Sequence, residues 1–349
     1  MRLRRSVLTG PGITRRRRGE RMSYYDAEGN PVKDPQTLAR IKDLVIPPAW
    51  RKVWISPHAN GHIQAVGTDT AGRRQYLYHQ AWQDERAEAK FDRVLDMSTE
   101  LPQWRARIAA DLAGRGLARD RVVALALHLL DLGYFRAGGE QYAEEHESYG
   151  LATLLCEHVT VRDSSVLFDY PAKSGVRRTL EIENPEVTRA VRALMRRDER
   201  GERLLVCRSE SGIAEIRSDD INARFKELVG ADYSIKDLRT WHGTVLAAEA
   251  FAVADPALSH RAAKKATAAV MKTVAEALGN TPAVARGSYV DPRVVAAYED
   301  GRTIEAAVSR AARLRRPGAA QEVLEKATRT LIRQHARSGA GTARLAKTA

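Results

Sequence analysis

One segment of this 349-residue chain has to lie in the interior of a folded domain. From Asp120 onward its apolar side chains leave almost no polar face, a density too high for a helix with one side in water. Such a helix must be surrounded by other elements, and helical patterns follow it along most of the chain. We therefore predict a mainly helical domain with this helix at its centre. Its apolar residues are Val122, Val123, Leu125, Leu127, Leu129 and Leu130.

The chain before residue 97 has a different pattern. Short segments rich in β-forming residues cover 52–56 and 62–67, and Asn60-Gly61 between them is a strong hairpin signal. The segment 74–78 then alternates, which places Tyr76 and Tyr78 on one face of a strand. The sequence therefore predicts an α+β protein, with a small β-rich N-terminal domain and a larger, mainly α-helical domain.

Composition suggests four segments along the chain. Residues 1–22 contain a run of arginines and few apolar residues, so we expect a flexible basic arm. The β-rich domain then covers 23–96 and the helical domain 97–316, with a linker near 93–102. Residues 317–349 are expected to form a basic tail, helical in part, with its last dozen residues disordered.

The charge of the chain points to a polyanionic partner. Its 57 Lys and Arg residues against 44 Asp and Glu give a formal net charge of +13, and a surplus of this kind favours binding to phosphates. A basic but otherwise ordinary protein is the alternative. Cys156 and Cys207 lack metal-ligand spacing and predict no disulfide framework. Neither a signal peptide nor a membrane-spanning run is recognisable, so we expect a cytoplasmic protein without a membrane partner.

Three basic residues lie where a side chain can reach a phosphate. Arg136 follows the buried helix, Lys173 occupies the turn of a predicted hairpin (165–170 and 176–182), and Arg239 lies near the start of a predicted helix. Arginine binds phosphate through two parallel, charge-assisted hydrogen bonds, whereas a buried lysine can deliver a proton. Taken singly, each of the three is better explained as a surface charge or as part of a structural ion pair.

The order of a larger set is more informative. Arg136, Lys173, Lys236-x-x-Arg239 and Gly279-Asn280-Thr281-Pro282-x₆-Tyr289 follow one another along the chain. This order resembles the active site of the type IB DNA topoisomerases of the bacterial and poxvirus kind. Residues 148–154 resemble the segment after the family's first catalytic arginine. Residues 44–50 and 72–79 resemble its N-terminal signatures, so the resemblance covers about 23–300.

The resemblance implies a catalytic domain of the type shared by topoisomerase IB and the tyrosine recombinases, and it assigns roles. Tyr289 would attack a DNA phosphate and become joined to its 3′ side, which conserves the bond energy, so that no ATP is needed. Arg136 and Arg239 would bind the non-bridging oxygens in place of a metal, and no cofactor is implied. Lys173, with Lys236 or Arg136 as a relay, would protonate the departing 5′ oxygen.

Position 280 departs from the family's common pattern. Many relatives have a histidine nine residues before the tyrosine, whereas this chain has Asn280, as other bacterial members do. An amide can donate to a phosphate oxygen but carries no charge. Asn280 therefore remains a site residue with a smaller expected contribution, and it is also a candidate C-cap of the preceding helix.

Further residues are candidate DNA contacts. The strand with the two tyrosines has arginines beside it, which suits phosphates and base edges; packing of the tyrosines on the core is the alternative. The His58 and His62 pair flanks a turn, so no metal site is expected there. The partner is double-stranded DNA, and the resemblance implies a monomer located at the nucleoid. The candidate DNA contacts are Tyr76, Tyr78, Gln75, Arg73, Arg74, Gln141 and Tyr142.

Two other functional classes compete with this interpretation. A tyrosine recombinase shares the chemistry, but usually has His-x-x-Arg where this chain has Lys236-x-x-Arg239, and begins with a helical domain. An architectural DNA-binding protein explains the charge without any catalysis. An architectural protein does not explain the ordered set of arginines, lysines and tyrosine. Covalent trapping of DNA would distinguish such a protein from a topoisomerase and from a recombinase.

Overall fold

The computed structural model describes residues 2–19, 21–133, 135–140, 143, 147–197, 201–210, 212–316 and 318–345. The chain forms two compact units, residues 1–92 and 93–349. Their boundary falls inside one long helix, α2 (Gln80–Leu112). The predicted α+β class, with a small β-rich unit followed by a larger helical one, is confirmed.

The N-terminal unit is built on an antiparallel sheet. In the part of the chain that the structure describes, this sheet has five strands in the order β2-β1-β3-β4-β5. Helix α1 (Pro35–Asp43) begins at Asp34, whose carboxylate accepts from the backbone N–H of Thr37. The strands are β1 (Ile13–Arg18), β2 (Arg21–Tyr25), β3 (Arg51–Ile55), β4 (Ile63–Thr68) and β5 (Arg74–Tyr78).

The predicted hairpin is present, with a longer loop than the Asn60-Gly61 signal suggests. Strands β3 and β4 pair antiparallel, with Ile55 opposite Ala65, and both of these side chains are fully buried. A Cβ on Gly61 would lie 2.5 Å from the Ser56 hydroxyl oxygen, so the loop closes tightly at this glycine. Strand β5 pairs with β4, as the alternating pattern predicts.

The expectation of a flexible arm over residues 1–22 is wrong for most of its length. Strand β1 lies inside the sheet, where Ile13 is buried. The Arg15 guanidinium donates to the carbonyls of Ile46, Pro47 and Trp50 at 2.8–3.1 Å. The arginine run therefore lies in strand β1. Its first arginine, Arg15, is a structural residue that holds the chain segment before β3.

The second unit surrounds helix α3 (Arg119–Asp131), which is buried along its length, as predicted. A three-stranded antiparallel sheet, β6-β7-β8 among the described residues, contains the predicted hairpin. Strands β7 (Ser165–Pro171) and β8 (Arg177–Glu183) are joined by a short 3-10 helix at Lys173–Gly175. Strands β6 (Val159–Val161), β9 (Val206–Ser209) and β10 (Gly212–Glu215) complete the strands of this unit.

Most helices of this unit lie in the C-terminal half of the chain. Helix α7 (His260–Leu278) is capped at its C-terminus by Gly279, which has a left-handed backbone (φ 60°), and Thr281 caps the start of α8 (Pro282–Ser288). The helices are α4 (Pro185–Met195), α5 (Ser218–Val229), α6 (Ile235–Ala252), α7 (His260–Leu278), α8 (Pro282–Ser288), α9 (Pro292–Glu299), α10 (Glu305–Ala311) and α11 (Ala319–Leu345).

Two boundary predictions need correction. The expected linker at 93–102 is the middle of α2, because Met97 and Leu101 are fully buried against the helical core. The expected tail after residue 316 is largely helix α11, which runs to Leu345. Its Leu331 and Ile332 belong to the same core. The C-terminal helix is therefore an integral part of the second unit.

Candidate active site

A small pocket lies in the second unit where four segments meet. It lies between the chain that follows α3, the β7–β8 hairpin, helix α6 and the C-terminal end of α7. Arginine side chains from three of these segments reach it, which makes the pocket suited to an anion. Its lining residues are Arg136, Tyr149, Tyr170, Ala172, Arg178, Arg239 and Leu278.

Arg136 is fixed from both its backbone and its side chain. Its carbonyl accepts from the backbone N–H of Leu151 at 2.8 Å. Segment 148–154 of this chain therefore holds the backbone at Arg136 in place. Its guanidinium donates to the Gly279 carbonyl and to Asn280 Oδ1, both at 2.7 Å. Burial lowers the pKa of Arg136, although an arginine stays charged at neutral pH.

Arg239 is the most deeply buried of the pocket arginines, at 9% exposure. It lies in the first turns of α6 and donates to the carbonyls of Phe135 (3.0 Å) and Leu278. Burial, and then the positive charge of Arg136, lower its pKa. The neighbouring Tyr289 side chain acts in the opposite sense and raises this pKa. Two carbonyls and Tyr289 thus fix the Arg239 guanidinium beside the pocket.

Asn280 combines the two roles that the sequence left open. Its backbone N–H donates to the Ala275 carbonyl, as the end of a helix requires. Its side-chain oxygen accepts from Arg136, so the amide orients that guanidinium. The amide group thus lies beside a pocket arginine while also closing α7.

Tyr289 lies directly after α8 and is partly buried. Its ring centroid is 5.6 Å from the Arg239 guanidinium carbon, and Tyr289 is one of the neighbours that influence the pKa of both Arg136 and Arg239. The Tyr289 carbonyl accepts from the Thr244 hydroxyl at 3.3 Å. The predicted nucleophile and the two predicted catalytic arginines therefore occupy one small region of the second unit.

Gly243 on α6 allows Tyr289 to approach this helix closely. A Cβ at this position would lie 2.6 Å from the Tyr289 carbonyl oxygen and 3.1 Å from its Cβ. Gly243→Ala must therefore displace Tyr289, and a displacement of about 1 Å can cost roughly 100-fold in rate. We expect Gly243→Ala to lower the rate of any reaction at Tyr289 by that order, as measured in a single-turnover assay.

The matched control for this change is Gly287→Ala in α8. An added Cβ at Gly287 meets nothing within 4 Å, and alanine suits a helix better than glycine. The rate of Gly287→Ala should stay within about twofold of wild type. Equal rates for the two alanine variants would show that the close approach at Gly243 does not matter.

The two predicted catalytic lysines lie outside this cluster. Lys173 is exposed at the tip of the β7–β8 hairpin, and Lys236 is exposed in the first turn of α6. Within the described ranges, neither ammonium group forms a hydrogen bond or ion pair to the protein. The structure thus brings together Arg136, Arg239, Asn280 and Tyr289 but not the lysines.

The predicted DNA contacts of the N-terminal unit are on an exposed strand. Tyr76 and Tyr78 are 37% and 38% exposed and stack on each other with ring centroids 6.0 Å apart, so the alternative of core packing is wrong. The Arg74 guanidinium lies 5.7 Å from the Tyr76 ring centroid. Arg73 and Gln75 both donate to the Asp69 carboxylate. Gln141 and Tyr142 lie outside the described residues.

Arg178 and Tyr170 are among the pocket residues that the sequence did not single out. They are opposite each other in the β7–β8 register, so their side chains share one face of the hairpin. A signal existed, because closing the turn over 171–175 leaves one of the two consecutive arginines, Arg177 or Arg178, on the same face as Tyr170. Without the register, the sequence does not indicate which one.

A buried charge network supports the helices around the site. The Arg105 guanidinium on α2 makes paired contacts with Asp131 at the end of α3 and with Glu325 on α11, all at 2.7–2.9 Å. His242 on α6 lies 3.3 Å from Asp131. Burial alone would raise the pKa of Asp131, but His242 and Arg105 outweigh it and hold that pKa well below its ordinary value. Asp131 is therefore charged at neutral pH.

Comparisons with known proteins match most of the chain to DNA topoisomerases. The family described as "Eukaryotic DNA topoisomerase I, catalytic core" matches residues 79–315, and "Bacterial DNA topoisomerase IB, N-terminal domain" matches 21–69. The chain is 29% identical to DNA topoisomerase 1B of Acanthamoeba polyphaga mimivirus, covering 83% of this chain and 88% of the relative. It is 22% identical to DNA topoisomerase 1B of Vaccinia virus strain Copenhagen, covering 78% and 85%.

The first family match alone covers more than half of the chain. The chain therefore belongs to the type IB DNA topoisomerases, a family of isomerases that act on DNA. This membership decides against the tyrosine recombinases. The described helices include none that combines the length and apolar character of a membrane span.

Proposed function

We propose that this topoisomerase relaxes supercoiled DNA by transiently cleaving one strand through Tyr289, without ATP or a metal ion. The observation that supports this most strongly is the position of the Tyr289 ring beside Arg239, with Arg136 on the same pocket. A phenol and two fixed guanidinium groups are the components that a phosphoryl transfer of this kind needs.

Each bond that forms is matched by one that breaks. The Tyr289 oxygen loses its proton and forms a bond to the phosphorus, and the bond from phosphorus to the 5′ oxygen breaks. Arg136 and Arg239 neutralise the non-bridging oxygens, which is the task that a metal ion performs in other phosphoryl-transfer enzymes. Resealing is the reverse attack by the 5′ hydroxyl, so the energy of the phosphodiester is conserved and ATP is not consumed.

The departing 5′ oxygen needs a proton, and Lys173 is our candidate donor. Its exposed position at a hairpin tip suits a side chain that contacts DNA rather than protein. Lys236, also exposed, is the candidate relay. General acid catalysis of this kind contributes about 10²–10⁴-fold.

The N-terminal unit supplies a second DNA-binding surface in this proposal. Tyr76 and Tyr78 stand exposed on β5 beside Arg74, which suits phosphate and base-edge contacts. Arg73, Gln75, Gln141 and Tyr142 belong to the same proposal, as does action as a monomer. An excess of positive charge, +13 over the chain, supports binding to duplex DNA.

Relaxation of negatively supercoiled plasmid in EDTA without ATP tests the proposal. Wild type should relax the plasmid, whereas Tyr289→Phe should bind it and leave its linking number unchanged, because the attacking oxygen is gone. Tyr233→Phe, which removes the same atom from a partly buried tyrosine outside the pocket, is the control and should relax normally. Binding by wild type without any change in linking number would favour the architectural alternative.

A further inference from the structure

Arg178 is held at the pocket in the same way as the two predicted catalytic arginines. It projects from β8 and donates from Nη2 to the Ala277 carbonyl at 3.0 Å. Its Nη1 lies 2.5 Å from where a Cβ on Gly279 would be, so glycine at that position leaves room for the guanidinium. Arg178 also lines the pocket.

The end of α7 gathers three arginines around one space. Three consecutive carbonyls, those of Ala277, Leu278 and Gly279, each accept from a different guanidinium. The last carbonyls of a helix have no intrahelical partner and form the negative end of its dipole, so they attract and orient cations. The donors are Arg178, Arg239 and Arg136, in that order.

These three positive charges are not balanced by acidic side chains in the part of the chain that the structure describes. No Asp or Glu there forms an ion pair with any of them. The charge of Arg178 lowers the pKa of both Arg136 and Arg239, which shows that the guanidinium groups repel one another across the pocket. An anion bound between them would relieve this repulsion.

The adjacent Arg177 provides a contrast. It points to the other face of β8, is exposed, and makes a paired contact with the Asp169 carboxylate at 2.7 Å. Its charge is therefore already balanced by an acid, away from the pocket. Two consecutive arginines thus differ in their partner and in the direction of their side chains.

We propose that Arg178 is a third phosphate-binding residue of the active site, contacting the scissile phosphate together with Arg136 and Arg239. This inference rests on the proposed function. When the Tyr289 oxygen bonds to phosphorus, the non-bridging oxygens of the scissile phosphate gain negative charge. This charge persists until the 5′ oxygen leaves with the proton that Lys173 donates. Arg178 stabilises that charge from the side of the β7–β8 hairpin.

The arrangement at position 280 strengthens this assignment. The oxygen of the Asn280 side chain is occupied by Arg136, and its nitrogen faces the Leu278 carbonyl at 3.4 Å. Asn280 therefore orients another residue and adds no charge. Arg178, at the same end of α7, supplies a positive charge that an amide cannot.

Single-turnover relaxation and trapped-adduct assays with Arg178→Ala and Arg178→Lys test the proposal, with Arg177→Ala as the matched control. Both alanine variants remove one positive charge from neighbouring positions, so their general attraction to DNA should fall equally. We expect Arg178→Ala to slow cleavage by about 100-fold and Arg178→Lys by less. Arg177→Ala should remain within about twofold of wild type.

Rescue separates catalysis from structure. Added guanidinium should restore part of the cleavage rate of Arg178→Ala without changing its melting temperature, since a small cation can occupy the vacated site. The proposal would be overturned if Arg178→Ala cleaved DNA as fast as Arg177→Ala. It would also be overturned if Arg178→Ala cleaved slowly, was not rescued by guanidinium and had a lowered melting temperature. Absence of Tyr289-dependent relaxation in wild type would instead overturn the proposed function itself.

Discussion

Arg239→Lys should lower the rate of DNA cleavage by about 10²–10³-fold, the usual cost of removing one fixed donor from a site of developing charge. Lysine keeps the positive charge but cannot reach two carbonyls and the pocket together, as the guanidinium does. Lysine also lacks the Nε–H donor of the guanidinium. Single-turnover adduct formation at saturating enzyme measures the effect directly, because it does not depend on product release.

The control for this prediction is Arg121→Lys. Arg121 is also buried (6% exposed) and also donates to two carbonyls, those of Leu112 and Gly116, but it lies away from the pocket. Both variants should lose stability for the same reason, a buried carbonyl left without its donor. Only Arg239→Lys should lose cleavage rate per folded molecule. Equal losses in the two variants would reduce Arg239 to a structural residue.

Glu325→Gln should lower the free energy of unfolding by about 2 kcal/mol, within the range for a hydrogen bond to a charged group. Glu325 on α11 is 1% exposed and accepts from the Arg105 guanidinium on α2 at 2.7 and 2.9 Å. Asp131 still balances the charge of Arg105 in the variant, but the amide nitrogen of glutamine cannot accept from the guanidinium, so one of the two charge-assisted contacts is lost. Denaturant unfolding followed by circular dichroism measures the change.

Glu322→Gln on the same helix is the matched control. Glu322 pairs with Arg316 at 2.8 Å, but both side chains are exposed, and exposed pairs contribute about 0–1 kcal/mol. Its unfolding should therefore stay close to that of wild type. A loss at Glu325 no larger than that at Glu322 would mean that α11 is not held to the core through this network.

The meeting of Arg136, Arg239 and Tyr289 in one region was predictable because they match the ordered motifs of a known family and lie at the ends of recognisable elements. Arg136 follows the buried helix α3, and Tyr289 follows the short helix that begins at Thr281-Pro282. Helix boundaries of this kind are marked locally, by caps and by periodicity. The two-domain α+β arrangement was predictable for the same reason.

Features that depend on distant partners were not predictable. Whether Arg177 or Arg178 faces the pocket depends on the hairpin register, and Arg15 is structural because of carbonyls about 30 residues away. The position of α11 in the core depends on Glu325 meeting Arg105, 220 residues earlier. The segment Leu95-Asp96-Met97-Ser98-Thr99 indicated a linker before the first clear helical pattern, but packing against the core outweighs these local signals and α2 continues through it.

The most direct test of the account is to identify the residue that becomes joined to DNA. Wild-type enzyme is incubated with plasmid in EDTA, trapped with detergent and digested, and the peptide that retains a nucleotide is sequenced by mass spectrometry. We predict a single modified residue, Tyr289, linked to a 3′ phosphate, with a free 5′ hydroxyl at the nick. A nucleotide on Tyr149 or Tyr170, which both line the pocket, or a 5′-linked adduct would contradict it.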